Sequence, residues 1–550
     1  MEPAIRRNAA KAEMELFTVS LKRKKQPMLS LTEKEFLEVA TKFNVIPLVR
    51  SVVLDLETPV GLYIRSGAWR TPYSFLLESV TGGENLGRYS ILGTQAYAIV
   101  SGKNHEFFVE KNGRKKSLSA KDPIEALREA MQSYRLYEDP SLSGFYSGAT
   151  GYFSYDMIRY YETIEYDTHN LDPEKRKPKK MQDPLKLPDL VFVIPQQVIW
   201  LDHAMGKMNI IENIFIEENE IQEKESLQKL YHNATERINK LIEKVSSDSE
   251  WKEFRKHIPR TQAKAQWTSN VSREEYANIV ERCKEYIKAG DIFQVVPSRR
   301  FQTSFDHHPF FLYRGLRATN PSPYMFYLNF PEGVLAGSSP EILVKKEGNE
   351  VILRPIAGTI HRGSSPAEDA ALSQKLLSDE KEIAEHVMLV DLGRNDVGRV
   401  SLYGSVHVDE LMVIEKYSHV MHIVSNVRGR IRPDFDAYDC LKVAFPAGTV
   451  SGAPKVRAMQ IIEEMEPEKR GFYAGCVGYF SLTGDMDTAI TLRSILYKDG
   501  IVYVQAGGGL VYDSDPEKEN QEVENKAAGP MKAVQMVLDG EFSRTWKEEA

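Results

Sequence analysis

An α+β fold built on antiparallel sheets is what this sequence predicts. Runs of strand-forming residues follow one another with turns of only a few residues, P-E-G and E-G-N among them, whereas parallel pairing would need long crossovers. Helical stretches fall between groups of strands and do not alternate with single strands, which argues against a doubly wound sheet. At 550 residues the chain is long enough for more than one domain or a single large one.

Residues 1 to 30 read as a basic tail, charged by Arg6, Arg7, Lys11 and the run Lys22 to Lys25. Glu2, Glu13 and Glu15 argue against a transit peptide, and the tail lacks the apolar core of a signal peptide, so the expected compartment is the cytoplasm. Residues 31 to 45 carry Leu31, Phe36, Leu37, Val39, Ala40 and Phe43 at helical spacing. Short strands follow, including Phe75-Leu-Leu-Glu-Ser79, then a G-G-E-N-L-G-R-Y-S loop. G-A-T-G-Y-F-S at 148 to 154 is echoed by G-C-V-G-Y-F-S at 475 to 481, which hints at similar strands in both halves. Residues 168 to 188, with K-R-K-P-K-K, read as an exposed linker. From Glu217 to Lys244 a helical period links Ile221, Leu227, Leu230, Tyr231, Ala234, Ile238 and Leu241. A polar stretch to about Gln266 then marks a boundary, giving an N-terminal domain at 31–250 and a second at 267–542.

Beyond it, the capping box Ser272-Arg-Glu-Glu275 opens a helix that ends at Gly290. Strands are expected at 292–301, 324–330, 334–337, 341–346 and 350–354, and a late meander at 475–481, 486–497 and 501–506 turns at T-G-D and K-D-G. Between these groups lies D-E-K-E-I-A-E-H-V-M-L-V-D-L-G-R-N-D, from Asp379 to Asp396. As a helix it puts Ile383, Val387 and Val390 on one face and Glu382, Glu385 and His386 on another. A second helix, with Asp515 as N-cap and Pro516 at its first position, carries Glu519, Glu522 and Lys526 directly behind Q-A-G-G-G-L. An isolated E-x-x-E pair is most often a solvated helix face. Two such faces turned together would gather four carboxylates, which only a hard divalent cation such as Mg²⁺ makes tolerable.

A formal charge of −7, from 71 basic and 78 acidic residues, leaves no nucleic-acid footprint. Cys283, Cys440 and Cys476 form no C-x-x-C pair, so neither a disulfide framework nor a structural zinc is expected. Thr449-Val-Ser-Gly-Ala-Pro-Lys455 precedes a helix and suits either an anion site or an ordinary turn and cap. Arg493, inside I-T-L-R-S-I-L, asks for a planar anion, supplied by the protein or by a ligand. Glu341 and His422 are ionisable intrusions into apolar runs, either site residues or edge residues facing water.

Taken together, P-I-A-G-T at 355 to 359, the Asp379 to Asp396 segment, T-V-S-G-A-P-K and Q-A-G-G-G-L with its glutamates closely resemble the chorismate-utilising enzymes. Within them they look most like the large, aminase subunits of anthranilate synthases. The resemblance covers residues 267 to 540 strongly and 31 to 200 more weakly. It implies two antiparallel sheets packed as a sandwich with helices outside, and the Mg²⁺-dependent conversion of chorismate and ammonia to anthranilate and pyruvate, the first step of tryptophan biosynthesis. It implies that Glu385 and Glu522 ligate the metal, with Glu382 and Glu519 supporting them. Chorismate contacts are implied for Gly358, Thr359, Tyr473, Arg493, Gly507, Gly508, Gly509 and Lys526. By the same resemblance Glu341 protonates the departing hydroxyl, His422 serves the later loss of pyruvate, and Thr449 lines the pocket. Feedback inhibition by L-tryptophan is implied at Ser79 with Pro323, Tyr324 and Met325, in the N-terminal domain's regulatory site. The chemistry agrees, because a dicarboxylate with a poor hydroxide leaving group needs a metal, an arginine and a general acid.

Two positions discriminate within the resemblance. Ala357 stands where aminodeoxychorismate synthases often carry an attacking lysine, and Gln294 where isochorismate synthases carry a water-activating lysine. A non-catalytic anion-binding regulator is the competing class, and convergent glutamates argue against it. None of the three cysteines sits in the glycine-flanked turn of a glutaminase nucleophile, so a separate glutamine amidotransferase subunit is the expected partner. Gly529-Pro530 is expected to kink the second glutamate helix while sparing the metal site, two turns earlier.

Overall fold

The computed structural model describes residues 29–544 except 54–56, 80–86, 141, 143, 165–180, 218–219, 221–222, 261 and 417–419. The tail to residue 28, residues 168–180 of the basic stretch, the start of the G-G-E-N loop and Ile221 lie outside the described residues.

Two long strands organise the chain. Tyr89–Lys103 and Leu190–Asp202 pair antiparallel from Tyr89↔Asp202 to Gly102↔Leu190, and the register slips between Gly93 and Ala98. Irregularities of this kind bend a strand and increase its twist, and on either side of the bend the outer neighbours differ. Ser74–Glu78 joins the early part of the 89–103 strand and Glu106–Lys111 the late part. Gly148–Phe153 joins the early part of the 190–202 strand and Lys207–Phe215 the late part.

Two antiparallel sheets grow from this shared pair. One runs through Gly148–Phe153, Cys476–Ser481, Met486–Ile490, Ile342–Glu347, Glu350–Leu353 and Val420–Arg430 to the edge strand His407–Lys416. The other runs from Ser74–Glu78 through Tyr324–Phe330, Gly333–Ser339, Ser494–Lys498 and Ile501–Gly507 to Ser298–Ser304. Phe153, Phe192 and Phe480 from the first meet Phe75, Phe326 and Leu328 from the second in one buried cluster, the filling of a sandwich. A second cluster packs Leu76, Tyr327 and Val504 of the second sheet against helices Lys224–Val245, Arg273–Lys288, Phe310–Thr319 and Pro516–Leu538. The echoed G-x-x-G-Y-F-S segments turn out to be direct neighbours, paired from Phe153↔Cys476 to Gly148↔Ser481. Strands from either side of the polar stretch before Gln266 therefore share both sheets.

The local signals hold where they are strongest. Ser272 and Glu275 form the capping box, Asp515 accepts from the backbone of Glu517 and Lys518, and Pro516 is the first helical residue. Pro530 lies inside the helix Pro516–Leu538 without ending it. The first helix is shorter than its periodicity implies. It spans Glu33–Val39, and Val45 already opens a strand because Val45–Val53 pairs along its whole length with Lys207–Phe215.

The expected strand 486–497 is in fact two. Met486–Ile490 belongs to the first sheet and Ser494–Lys498 to the second, and Arg493 between them has φ 49°. Gly333–Ser339 and Ile342–Glu347 cross between the same two sheets in the opposite direction, with Glu341 at the crossing. Backbone bonds from Ile490 N–H to Glu341 O (3.0 Å) and from Ser338 N–H to Arg493 O (3.2 Å) tie the crossings together. A left-handed backbone at a residue other than glycine costs about 1–3 kcal/mol, and at Arg493 it comes where a strand changes sheets.

Candidate active site

Glu341 and Arg493 meet at this double crossing. The Glu341 carboxylate accepts a hydrogen bond from the Thr449 hydroxyl at 2.9 Å, and burial pushes its pKa up to about 7 against the opposing pull of Thr449 and Lys526. A carboxyl group of that kind keeps a proton to donate near neutral pH. Arg493 has no carboxylate partner among the described residues, and burial lowers its pKa while the neighbouring Tyr473 hydroxyl opposes that shift. Burial raises the Tyr473 phenol to about 12, so it stays protonated, within reach of the Gly507 backbone.

His422 projects from the first sheet, opposite Thr359 in the ladder. Its Nδ1 lies 3.0 Å from the Gly358 carbonyl and 3.1 Å from the Thr359 hydroxyl. Donation to that carbonyl fixes the proton on Nδ1 and makes Nε2 the basic nitrogen of a neutral ring. Burial lowers the pKa of His422, which keeps it neutral. Gly358 itself has φ 65°, and a Cβ there would stand 3.1 Å from Glu382 Oε2 and from Ile423, so only glycine suits the position.

The two glutamate helices, Glu380–Val400 and Pro516–Leu538, close the other side. Burial first, then the charges of Glu385, Asp379 and Glu522, raise the pKa of Glu382. Burial and Glu522 do the same to Glu519, whose Oε2 is buried without a hydrogen-bond partner. Glu522 pairs with Lys526 at 2.7 Å, and Lys526 Nζ also donates to the Gly507 carbonyl at 3.2 Å. Glu385 Oε1 accepts from Gln294 Nε2 at 3.3 Å, and Gln294 lies directly under Gly509. Among the described residues no group of three or more His, Cys, Asp or Glu side chains could hold a metal by itself. The donor set still suits Mg²⁺. That ion takes one or two protein carboxylates and fills its remaining positions with water and substrate oxygens, and a cation there would relieve the like charges that raise the pKa of Glu382 and Glu519.

Two expectations are corrected here. His386 does not share the glutamates' face: it is fully buried, with Nε2 2.6 Å from the Ser425 hydroxyl, while Val387, expected in the core, is 42% exposed. The helix presents His386, Leu389, Val390, Gly393 and Val397 to the sheet, where the Ser425 hydroxyl partners Nε2 of the imidazole. Of the two readings open for Thr449 to Lys455, the turn and cap is favoured, since the Lys455 ammonium is paired with buried Asp396 at 2.9 Å. Two contributors escaped sequence reasoning. The Tyr276 hydroxyl donates to the Pro297 carbonyl beneath Gly508, and Ser514 stands beside Glu519 and counters the rise in its pKa. A buried tyrosine hydroxyl must find a partner, but nothing local says which.

The two segments expected to hold an inhibitor also come together. Ser74–Glu78 pairs with Tyr324–Phe330, with Glu78 opposite Met325, so Ser79 and Pro323-Tyr324 lie at adjacent strand ends. The Ser79 hydroxyl is buried without a partner.

The family of chorismate binding enzymes matches residues 73–532. "Anthranilate synthase component 1" of Acetivibrio thermocellus is 45% identical over 90% of this chain and 97% of its own, and that of Aquifex aeolicus 42% over 93% and 99%. The chain belongs to the anthranilate synthase component 1 family of chorismate binding enzymes. The crystal structure of anthranilate synthase component I from Streptococcus pneumoniae superposes with a TM-score of 0.67 at 37% identity, covering 82% of this chain and 94% of that one. The isochorismate synthase MenF from Escherichia coli, 19% identical with a TM-score of 0.62, shares the fold of this family.

Proposed function

We propose that the chain makes anthranilate and pyruvate from chorismate and ammonia in the cytoplasm, the first step of tryptophan biosynthesis. The observation that carries this reading is one strand crossing that holds both Glu341, whose buried carboxyl has its pKa raised to about 7, and Arg493, which has no carboxylate partner among the described residues. Arg493 and the Tyr473 hydroxyl receive the enolpyruvyl carboxylate, and Gly358, Thr359, the Gly507 to Gly509 backbone and Lys526 hold the remainder. Glu341, oriented by Thr449, gives its proton to the departing ring hydroxyl. Ammonia adds ortho to the ring carboxylate, beside Gln294, and His422 Nε2 removes the ring proton as pyruvate leaves. Glu385 and Glu522 would hold Mg²⁺, with Glu382 and Glu519 behind them, and the ion would neutralise the ring carboxylate. Ala357 and Gln294 lack the amines that para-amination or hydration of the ring would use.

Ammonia reaches the site from glutamine through a separate amidotransferase subunit, and L-tryptophan inhibits by binding at Ser79 with Pro323, Tyr324 and Met325. Among the described residues no helix is long and apolar enough to cross a membrane. The test is chromatography of the products formed from chorismate, ammonium and Mg²⁺. Anthranilate and pyruvate are expected; aminodeoxychorismate or isochorismate as the end product would overturn the reading.

A further inference from the structure

Behind Glu341 and Thr449, on the side of the helix Glu380–Val400, lies a cavity of about 40 Å³. Glu341 and Thr449, which are hydrogen-bonded to each other, line it together with Leu392 and Gly393. Asp396, paired with Lys455, and Arg354, bound to Glu410 and Glu415, are the other charged residues of its lining. Leu392 is half-buried and the Arg354 side chain is 21% exposed, so the cavity leads toward the surface. One water needs roughly 10–15 Å³ of such space and two to four polar partners, so there is room for about two or three.

Gly393 gives an independent sign that this space is kept open. It is buried in a helix interior, where alanine is preferred to glycine. A Cβ at 393 would meet Pro355 at 3.4 Å, Val427 at 3.7 Å and Leu353 at 3.9 Å, all ordinary contacts, so neither backbone angle nor crowding demands glycine there. What a methyl group would take is cavity volume.

We propose that this cavity is a water port for the catalytic acid. The inference rests on the reading of Glu341 as the proton donor. When the ring C–O bond breaks, the leaving oxygen takes the Glu341 proton and becomes water. Ammonia forms the new C–N bond as an ammonium group, which must lose a proton, and the Glu341 carboxylate must gain one. The aminated ring has still to lose pyruvate and so remains seated at Arg493 and the glycine loop, closing the substrate side. The port lets the new water leave and a proton return to Glu341 from behind.

The test uses Gly393→Ala in the full chain, assayed with chorismate, ammonium and Mg²⁺. Filling the port should lower kcat about 5- to 10-fold, leave KM for chorismate within twofold, raise the solvent deuterium isotope effect on kcat, and leave the melting temperature unchanged or higher. Adding Leu392→Ala, which widens the same space, should restore kcat and the isotope effect. An unchanged kcat and isotope effect in Gly393→Ala would overturn the proposal, and so would a loss that Leu392→Ala does not reverse. Glu341→Gln separates the two levels. If that variant turns over normally, the assignment of the acid has failed, whatever Gly393 does.

Discussion

Glu341 shows how much of the chemistry turns on the environment of one side chain. A carboxyl group whose pKa is raised by folding favours the native state below its ordinary range and loses that contribution as pH rises through its folded value. Moving from 4.5 to about 7 corresponds, at about 1.36 kcal/mol per unit, to ~3 kcal/mol of stability given up above neutrality. Glu341→Gln should therefore melt no lower than the parent at pH 8, with the difference shrinking toward pH 5, while turnover is lost. Calorimetry at the two pH values checks this, and a clear drop in melting temperature at pH 8 would contradict it. With free ammonia held saturating, the parent's kcat should fall as pH rises above about 7, because the acid is then ionised. In the proposed reaction His422 acts at the later step. His422→Met should still consume chorismate but accumulate the aminated, non-aromatic intermediate in the chromatogram, and untouched chorismate would place His422 elsewhere. Glu341, His422 and Arg493 stand out in the sequence because ionisable groups interrupt apolar runs, but their environments cannot be read there. The same kind of reading wrongly joined His386 to the glutamates, since a buried serine on a distant strand decides which way that imidazole faces.

At the scale of elements, the two glutamate helices keep apolar faces of their own, Leu389, Val390 and Val397 on one and Val523, Ala527 and Val534 on the other. They should stay folded without the cation. Glu385→Gln should abolish turnover with a nearly unchanged melting curve, and full activity in that variant would remove Glu385 from the metal site. The paired strands Ser74–Glu78 and Tyr324–Phe330 make a second prediction. Ser79→Ala should raise the tryptophan concentration needed for inhibition with little effect on the uninhibited rate, and equal loss of both would make Ser79 a folding residue. Helix caps and hairpin turns were legible because their determinants are local, as at Ser272, Asp515, T-G-D and K-D-G. The break at Arg493 was not, because I-T-L-R-S-I-L is a good strand sequence throughout. Only the need to change sheets interrupts it.

At the scale of the whole molecule, the sandwich depends on two bent strands whose partners lie far apart in sequence, so periodicity could suggest antiparallel sheets without showing how two halves of the chain interleave. The G-x-x-G-Y-F-S echo was the one visible trace of that interleaving, and it marked a direct pairing. Cysteine chemistry is legible at both levels. Cys283, Cys440 and Cys476 are all buried, and burial raises each thiol, Cys440 and Cys476 to about 12. None can serve as a glutaminase nucleophile, which needs a thiolate near neutral pH. On the proposed function, this chain would perform the amination and a separate subunit would release the ammonia. The purified chain should be given chorismate and Mg²⁺ with either ammonium at alkaline pH or glutamine at a pH where little free ammonia exists, and anthranilate followed by its fluorescence. Product from ammonium and none from glutamine is the predicted result; product from glutamine, or none from ammonium, would contradict it.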